Sequence, residues 1–366
     1  MAMQLMDDLV GPGGVFERAD ELHDANHEMV VHFRNAETGL KAIVSVHDTT
    51  LGPALGGTRF YPYRSEAEAL TDGLRLSQAM TFKAAAARMA LGGGKAVIIG
   101  NPAELKTPQL LRAYGRFLNR LGGTYITAAD VGTTSVDLDI IGEVTNHVVG
   151  RTKASGGSGD SGFSTAYGVF CSMLAAATVR WGAHGLKGRT VGVEGVGKVG
   201  LHLVGLLLEQ GARVVVSDPH EAALRKVHDT YEGVVTLTSV IDSPVDVYAP
   251  CALGATLTEQ SVSTLTASVV CGAANNQLLN RSVGDAMAMR DILWVPDFIA
   301  NAGGLIQVGG ELQNKTEGDV LGDVARIGET VTEVLRASLR NHVSTGRAAL
   351  EIVESRLRSA RSGDAA

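Results

Sequence analysis

Residues 189–200, RTVGVEGVGKVG, run from an apolar segment into Gly195-x-Gly197-x-x-Gly200, and a helical pattern continues through Leu208. That spacing between strand and helix leaves few folds open. The first glycine permits a tight turn, the second lets backbone approach a pyrophosphate, and the third lets the helix pack close on the strand. A pyrophosphate would rest on the amides that open the helix, around Lys198, Val199 and Gly200. Asp218 ends the next apolar run, ARVVVSD (212–218). An acid there suits the ribose hydroxyls of NAD and repels the extra phosphate of NADP. The second half therefore reads as a dinucleotide-binding unit.

The pattern around the turn agrees. DVYAP (246–250), SVVCG (268–272) and ILWVPD (292–297) are short apolar runs separated by helical segments. Strands buried on both faces by crossover helices have this composition. The first half opens with EMVVHFR (28–34) and LKAIVSVH (40–47), joined by residues 35–39 as a hairpin. Ser65-x-x-Glu68 has capping-box form and starts a helix toward Ala90. AVIIG (96–100), a helix at about 107–121 and TYITAA (124–129) continue an α/β alternation. The glycine-rich ASGGSGDSG (154–162) marks a hinge, and the chain turns helical and more charged from about residue 319.

Composition removes several classes. An apolar fraction of 45% across 366 residues supports a buried core, which excludes a disordered chain. Nine prolines and no three-residue glycine period exclude collagen, although there are 45 glycines. The net charge is −7 without a basic cluster, so no nucleic-acid partner is expected. The N-terminal MAMQLMDDLV carries acids where a signal peptide needs bases. No uncharged apolar run of 18 residues is read in the chain, so no membrane partner is expected. Cys171, Cys251 and Cys271 form no paired motif and read as small buried residues in a reducing, cytoplasmic compartment.

Three charged residues stand out. Leu76, Met80, Lys83 and Ala87 share one helix face, so Lys83 has apolar neighbours. It either lends its stem to the core or offers a cation to an anionic substrate. Lys95 follows Gly92-Gly93-Gly94, but Met89 and Ala96 stand where a phosphate loop needs glycine and Ser or Thr. What remains is a lysine beside bare backbone, whose pKa a nearby Lys83 and burial would lower, or a surface lysine at a strand entry. Asp130 ends TYITAA, where catalytic groups gather in α/β proteins, or it caps the following helix. His23 and His27 read as an exposed pair and not a zinc site, and no metal is expected. Asp137, Asp139 and Glu143 read as a helix surface, and Trp181 and Trp294 as packing residues.

Taken in order, Leu51-Gly-Pro-Ala-Leu-Gly-Gly-Thr-Arg59, Met80-Thr-Phe-Lys83, Gly92-Gly-Gly-Lys95 and Ala129-Asp-Val-Gly-Thr133 form a series. The GxGxxG turn, Gly272-Ala-Ala-Asn-Asn276 and Asn301-Ala-Gly-Gly304 extend it. Over residues 25–355 the chain resembles the glutamate, leucine, phenylalanine and valine dehydrogenase family, particularly its actinobacterial valine-active branch around GGTRFYPY and APCALG. The resemblance implies an α/β substrate-binding and oligomerisation domain over 1–150, to which helices from about 330 to 366 return. It implies a Rossmann-type NAD-binding domain over 151–329, an active-site cleft between the two, and a homodimer or larger assembly. Lys83 would bind the substrate carboxylate with amides near Gly56 and Gly57. Lys95 would be the general base and Asp130 would exchange protons with the departing amine. Thr165, Ala274, Asn275, Asn276 and Asn301 would place the nicotinamide or substrate.

The implied reaction is reversible, NAD-dependent oxidative deamination of an L-amino acid to a 2-oxo acid and ammonia. Leu55, Ala128, Leu305 and Val308 match the family's side-chain pocket and are all apolar. A substrate carboxylate buried there unpaired would cost several kcal/mol, which excludes glutamate. The pocket volume favours valine, leucine or isoleucine. One methylene is worth only about 1–3 kcal/mol, so the three are not ranked. Phenylalanine oxidation and a silent NAD-binding regulator are the alternatives. Glu194, Ala255, Leu305 and the N-terminal GPGG depart from the family's usual residues, and Glu194 would weaken pyrophosphate binding if it pointed inward.

Overall fold

The computed structural model describes residues 14–20, 27–182 and 185–362. His23, the N-terminal acidic stretch and most of GPGG lie outside them. The chain divides into two units. The first holds residues up to Asp160 with Val308–Lys315 and Ser355 onward, and the second holds Ser161–Gln307 and Thr316–Glu354.

The first unit begins with α1 (Val15–Asp20), the hairpin β1 (Met29–Asn35) and β2 (Leu40–Asp48), then β3 (Ala54–Tyr61) and α2 (Glu66–Ala86). After these come β4 (Gly92–Ile99), α3 (Pro102–Leu105), α4 (Pro108–Arg120), β5 (Tyr125–Ala129) and α5 (Ser135–Gly142). The sheet order is β1-β2-β4-β3-β5. β1, β2 and β4 pair antiparallel, while β3 pairs parallel with β4 and β5. Side chains alternate across it. Leu40, Ala42, Val44, Phe60, Ala96 and Ile98 pack toward α4 through Leu110, Leu111 and Tyr114. Ile43 and Val97 face α2 through Ala69, Leu70 and Leu74.

Ser65 caps α2 by accepting from Glu68 N at 3.1 Å. The Glu68 carboxylate reaches back to Arg64 N at 2.7 Å, one residue beyond the amide of an ordinary capping box. Two strand boundaries differ from the sequence reading. β4 starts at Gly92, so Lys95 lies inside a strand and not at its entry, and β3 occupies a central sheet position over a glycine-containing segment.

The second unit contains α6 (Gly162–Trp181), β6 (Thr190–Glu194), α7 (Lys198–Glu209), β7 (Arg213–Ser217), α8 (Glu221–Thr230) and β8 (Val235–Thr236). It continues with β9 (Val247–Pro250), α9 (Glu259–Thr264), β10 (Val269–Val270), α10 (Arg281–Met289), β11 (Leu293–Trp294) and α11 (Asp297–Ala300). The helices α12 (Gly303–Glu311), α13 (Glu317–Ala325), α14 (Ile327–Asn341) and α15 (Thr345–Arg361) complete the chain. All strand pairs in its sheet are parallel, in the order β8-β7-β6-β9-β10-β11. Chain order reverses between β6 and β9, and open parallel sheets bind dinucleotides at such a switch point.

Three expectations change here. The loop 150–158 stays with the first unit because the Glu311 carboxylate accepts from Gly150 N at 3.0 Å and Ser158 N at 2.7 Å. α14 stays with the second unit, where Gly168 of α6 leaves room for Ile327; only Ser355 onward groups with the first. Finally, α6 is long and apolar enough by composition to cross a membrane, but it is mostly buried here, packed against α7, α13 and α14.

Candidate active site

The register explains how two distant residues meet. Thr58 of β3 stands opposite Ala96 of β4 and opposite Ala129 of β5. Gly57 is therefore level with Lys95 on one side and Ala128 on the other. A Cβ at Gly57 would lie 2.7 Å from Ala129 O and 2.8 Å from Asp130 Cβ. Its absence leaves a bare crossing, and Lys95 Nζ reaches Asp130 Oδ2 at 2.7 Å. The Lys95 side chain is 7% exposed and that of Asp130 23%. Burial lowers the Lys95 pKa, Asp130 opposes that shift, and Arg59 adds to it. Burial also works against ionised Asp130, but the Lys95 and Arg59 cations overcome it and hold the carboxyl at about 2. Asp130 is no helix cap, since Thr134 caps α5.

Arg59 is the residue that sequence reasoning missed. Its Nε donates to the same Asp130 oxygen at 2.9 Å, and its Nη1 donates to Asp72 Oδ2 at 2.9 Å. Tyr63 Oη donates to that Asp72 oxygen at 2.5 Å. A signal existed: stepping one helical turn back from Leu76 along the Lys83 stripe reaches Asp72. The stripe is half-buried, while the buried face of α2 runs through Ala69, Leu74, Ser77 and Thr81.

Lys83 is half-buried on the last turn of α2. A Cβ at Gly93 would meet Thr81 N at 2.0 Å, so α2 and β4 are in backbone contact two residues from each lysine. Gly56 is walled by Gly94 O, and its carbonyl accepts from Tyr125 Oη at 2.7 Å. Leu55 is 1% exposed, Ala128 and Val308 are half-buried, and all three belong to the first unit; Leu305, 9% exposed, belongs to the second.

The remaining carboxylates of this unit are structural. Asp137 closes a capping box with Thr134 and pairs with Lys106 at 2.8 Å. Asp139 accepts from Thr152, and Glu143 from Arg112. They are held in pairs and caps, which a bare helix surface would not provide. His27 is likewise not an exposed ligand. Its Nε2 lies 2.9 Å from Leu74 O, and its ring meets His47 edge-on at 4.8 Å.

In the second unit, Gly195 has φ +91 and a Cβ there would strike Ala252 of the β9 exit. A Cβ at Gly200 would lie 2.0 Å from Gly195 O, whereas Gly197 faces open space. Gly197 is the N-cap of α7 and brings no side-chain cap, so a ligand can approach the helix N-terminus there. Asp218 Oδ2 accepts from Val196 N at 2.9 Å and Oδ1 from His220 N at 2.8 Å. Oδ1 also meets His220 Nδ1 at 3.1 Å, so Oδ2 is the oxygen with a lone pair left for a ribose hydroxyl.

Thr165 on the first turn of α6 lies against Gly304, whose Cβ would be 2.8 Å from its hydroxyl. Asn301 Nδ2 donates to Asn275 Oδ1 at 2.7 Å and to Ala273 O at 3.1 Å, while its Oδ1 is buried without a partner. Ala274 is buried and donates to Pro250 O. Asn276 has φ +51 and its carbonyl accepts from Ala255 N, and Ala255 itself has φ +56. Glu194 bonds Tyr248 Oη, on the sheet face where Gly192 meets Val240 and Val245. It points away from α7. These residues fit NAD: a glycine turn at a helix N-terminus, an acid for ribose, and a buried acceptor for a carboxamide N–H.

Sequence comparison supplies the relatives. Residues 26–147 match the family described as Glu/Leu/Phe/Val dehydrogenase, dimerisation domain, and 220–351 the Glutamate/Leucine/Phenylalanine/Valine dehydrogenase family. The chain is 44% identical to a valine dehydrogenase of Streptomyces albus, covering 97% of this chain and 99% of that one. It is 43% identical to a leucine dehydrogenase of Bacillus cereus, with 92% and 93% covered. An L-tryptophan dehydrogenase of Nostoc punctiforme superposes with a TM-score of 0.81 at 37% identity, over 99% of this chain and 100% of that one.

Proposed function

The chain belongs to the glutamate/leucine/phenylalanine/valine dehydrogenase family, and from that premise we propose that it oxidises valine, leucine or isoleucine with NAD, reversibly, to the 2-oxo acid and ammonia. One observation carries the mechanism: a buried lysine amine bonded at 2.7 Å to an anionic aspartate, in a chain whose relatives include valine and leucine dehydrogenases.

The chemistry that bound NAD would supply is a hydride acceptor for the substrate Cα. The chain's own residues do the rest. Lys83 pairs with the substrate carboxylate, with the backbone at Gly56 and Gly57 alongside. Leu55, Ala128, Leu305 and Val308 give an aliphatic side chain apolar surroundings and leave a charged one unpaired. Lys95 takes the proton from the water that adds to the imine carbon, and burial lowers its pKa in the direction a base needs. Asp130 stabilises the positive charge on the amine and relays its proton as ammonia leaves. In the second unit, Gly195, Gly197, Lys198, Val199 and Gly200 hold the pyrophosphate and Asp218 the ribose. Thr165, Ala274, Asn275, Asn276 and Asn301 orient the nicotinamide.

We place the enzyme in the cytoplasm, where its three free cysteines stay reduced. We assign it a homodimer or larger assembly, in keeping with the dimerisation-domain family that its first unit matches. The decisive experiment is a substrate panel. NADH formation with valine, leucine or isoleucine at alkaline pH, faster than with phenylalanine or glutamate, is expected; no NADH from any branched-chain substrate would overturn the assignment.

A further inference from the structure

Lys95 faces a conflict that its pair with Asp130 alone does not resolve. A buried ammonium needs a counter-charge, yet a carboxylate bonded only to that ammonium stabilises the charged form and holds the proton. A base needs the proton to leave. In this structure the Asp130 oxygen is shared: Lys95 Nζ stands at 2.7 Å and Arg59 Nε at 2.9 Å from the same Oδ2. The guanidinium is charged at every working pH, so it partly neutralises Asp130 whether or not Lys95 is protonated. Arg59 is in turn held by Asp72, itself fixed by Tyr63.

We propose that Arg59 is a positioning residue for the reaction: by dividing the Asp130 carboxylate with Lys95, it keeps the lysine amine available as a base. The inference rests on the assignment of Lys95 as that base. Nothing in the sequence motifs gave Arg59 a role.

The charged and titratable groups around the pair come from every neighbouring element. β3 supplies Arg59, the segment after it Tyr63, and β5 leads into Asp130. α2 supplies Asp72 and, on its last turn, Lys83; β2 supplies His47, bonded to Thr81 Oγ1 at 2.9 Å. Among these, Arg59 and Asp72 act on Lys95 in opposite senses, the first pushing its pKa down and the second up. That opposition separates an electrostatic role from a structural one, because loss of packing has no sign.

The test uses the full-length enzyme and the variants Arg59→Gln, Arg59→Lys and Asp72→Asn. Two curves are recorded against pH: kcat/KM for leucine oxidation, and the labelling of Lys95 by an amine-acylating reagent, read by mass spectrometry without turnover. Arg59→Gln is expected to raise both midpoints by about one pH unit. Asp72→Asn is expected to lower both, and Arg59→Lys, which keeps the charge, to restore the wild-type position. If Arg59→Gln fails to fold, the Asp72→Asn shift decides. Unmoved labelling midpoints, or shifts of the same sign in Arg59→Gln and Asp72→Asn, overturn the proposal. A labelling midpoint that moves while the kcat/KM limb stays put leaves Arg59 in control of the lysine and removes the base role from Lys95.

Discussion

Lys95 Nζ of β4 and Asp130 Oδ2, one residue past the end of β5, meet at 2.7 Å across Gly57 of the intervening β3. The strand between them carries no side chain at that level, so a long lysine crosses bare backbone to reach the carboxylate. Gly57→Ala places a methyl 2.8 Å from Asp130 Cβ. Overpacking of this kind costs about 1–3 kcal/mol, and here the displaced group is the partner of the base. The variant is expected to melt several degrees lower and to lose at least about tenfold in kcat, since misplacement by an ångström has that scale of effect. Unchanged kcat in a folded Gly57→Ala enzyme would show that the crossing is not needed.

Removing the proposed base is expected to be more severe. Lys95→Ala is expected to lower kcat at least about a hundredfold, the usual contribution of a positioned proton acceptor, and to lower the thermal midpoint, because the buried Asp130 carboxylate loses one of its cationic partners. Turnover within a few-fold of wild type would exclude Lys95 as the base.

Asp130 links the site to acid stability. Its folded value near 2 lies below the ordinary 3.8, so its pairing stabilises the fold fully above that ordinary value and the contribution is lost as pH falls toward 2. The shift corresponds to about 2 kcal/mol. Asp130→Asn lacks this dependence. The gap in unfolding free energy between the two proteins, measured by urea titration, is expected to narrow on acidification from pH 5 toward 2; a constant gap contradicts the pairing.

The same residues show what the sequence could and could not say. The Rossmann turn was legible because its glycines are forced by backbone geometry, whereas Lys95 and Asp130 drew notice separately, one for the glycines before it and one for its place at a strand end, and no local pattern recorded that they meet. β3 was not legible. Pro53, Gly56 and Gly57 lower its strand propensity, and its central place comes from parallel pairing with β4 and β5, which no local pattern records. Gly92-Gly93-Gly94 read as a loop, yet these residues are strand because Asp48 O, Thr81 and Tyr125 press against the backbone where a Cβ would stand. Arg59 needed that hidden strand before its neighbours Asp72 and Asp130 could be seen.

Ala255 tests a departure from the usual glycine. Its φ of +56 is in the left-handed region, which costs an L side chain roughly 1 kcal/mol. Ala255→Gly relieves the strain but gives the unfolded chain more freedom, worth about 0.4–1 kcal/mol, so a net gain of at most a few tenths of a kcal/mol is expected. A lowered melting temperature would mean that the Cβ makes contacts worth more than the strain.

Asp218, the proposed ribose ligand, also holds the glycine turn before α7. One oxygen fixes Val196 N inside the turn and the other holds His220 N, so the carboxylate orders the backbone as well as offering a lone pair. Burial works against its charge, but these backbone donors outweigh it and keep the pKa below the ordinary value, so the group is anionic at neutral pH. Asp218→Ala removes both functions. Hydrogen bonds to a charged acceptor are worth about 1.5–3 kcal/mol, which sets the expected rise in KM for NAD at roughly tenfold to a hundredfold, with KM for leucine within a few-fold of wild type. The negative charge that repels a 2′-phosphate is also lost, so the ratio of NADP to NAD efficiency rises. Initial rates with the two cofactors measure both effects, and an unchanged NAD KM would remove Asp218 from the ribose site.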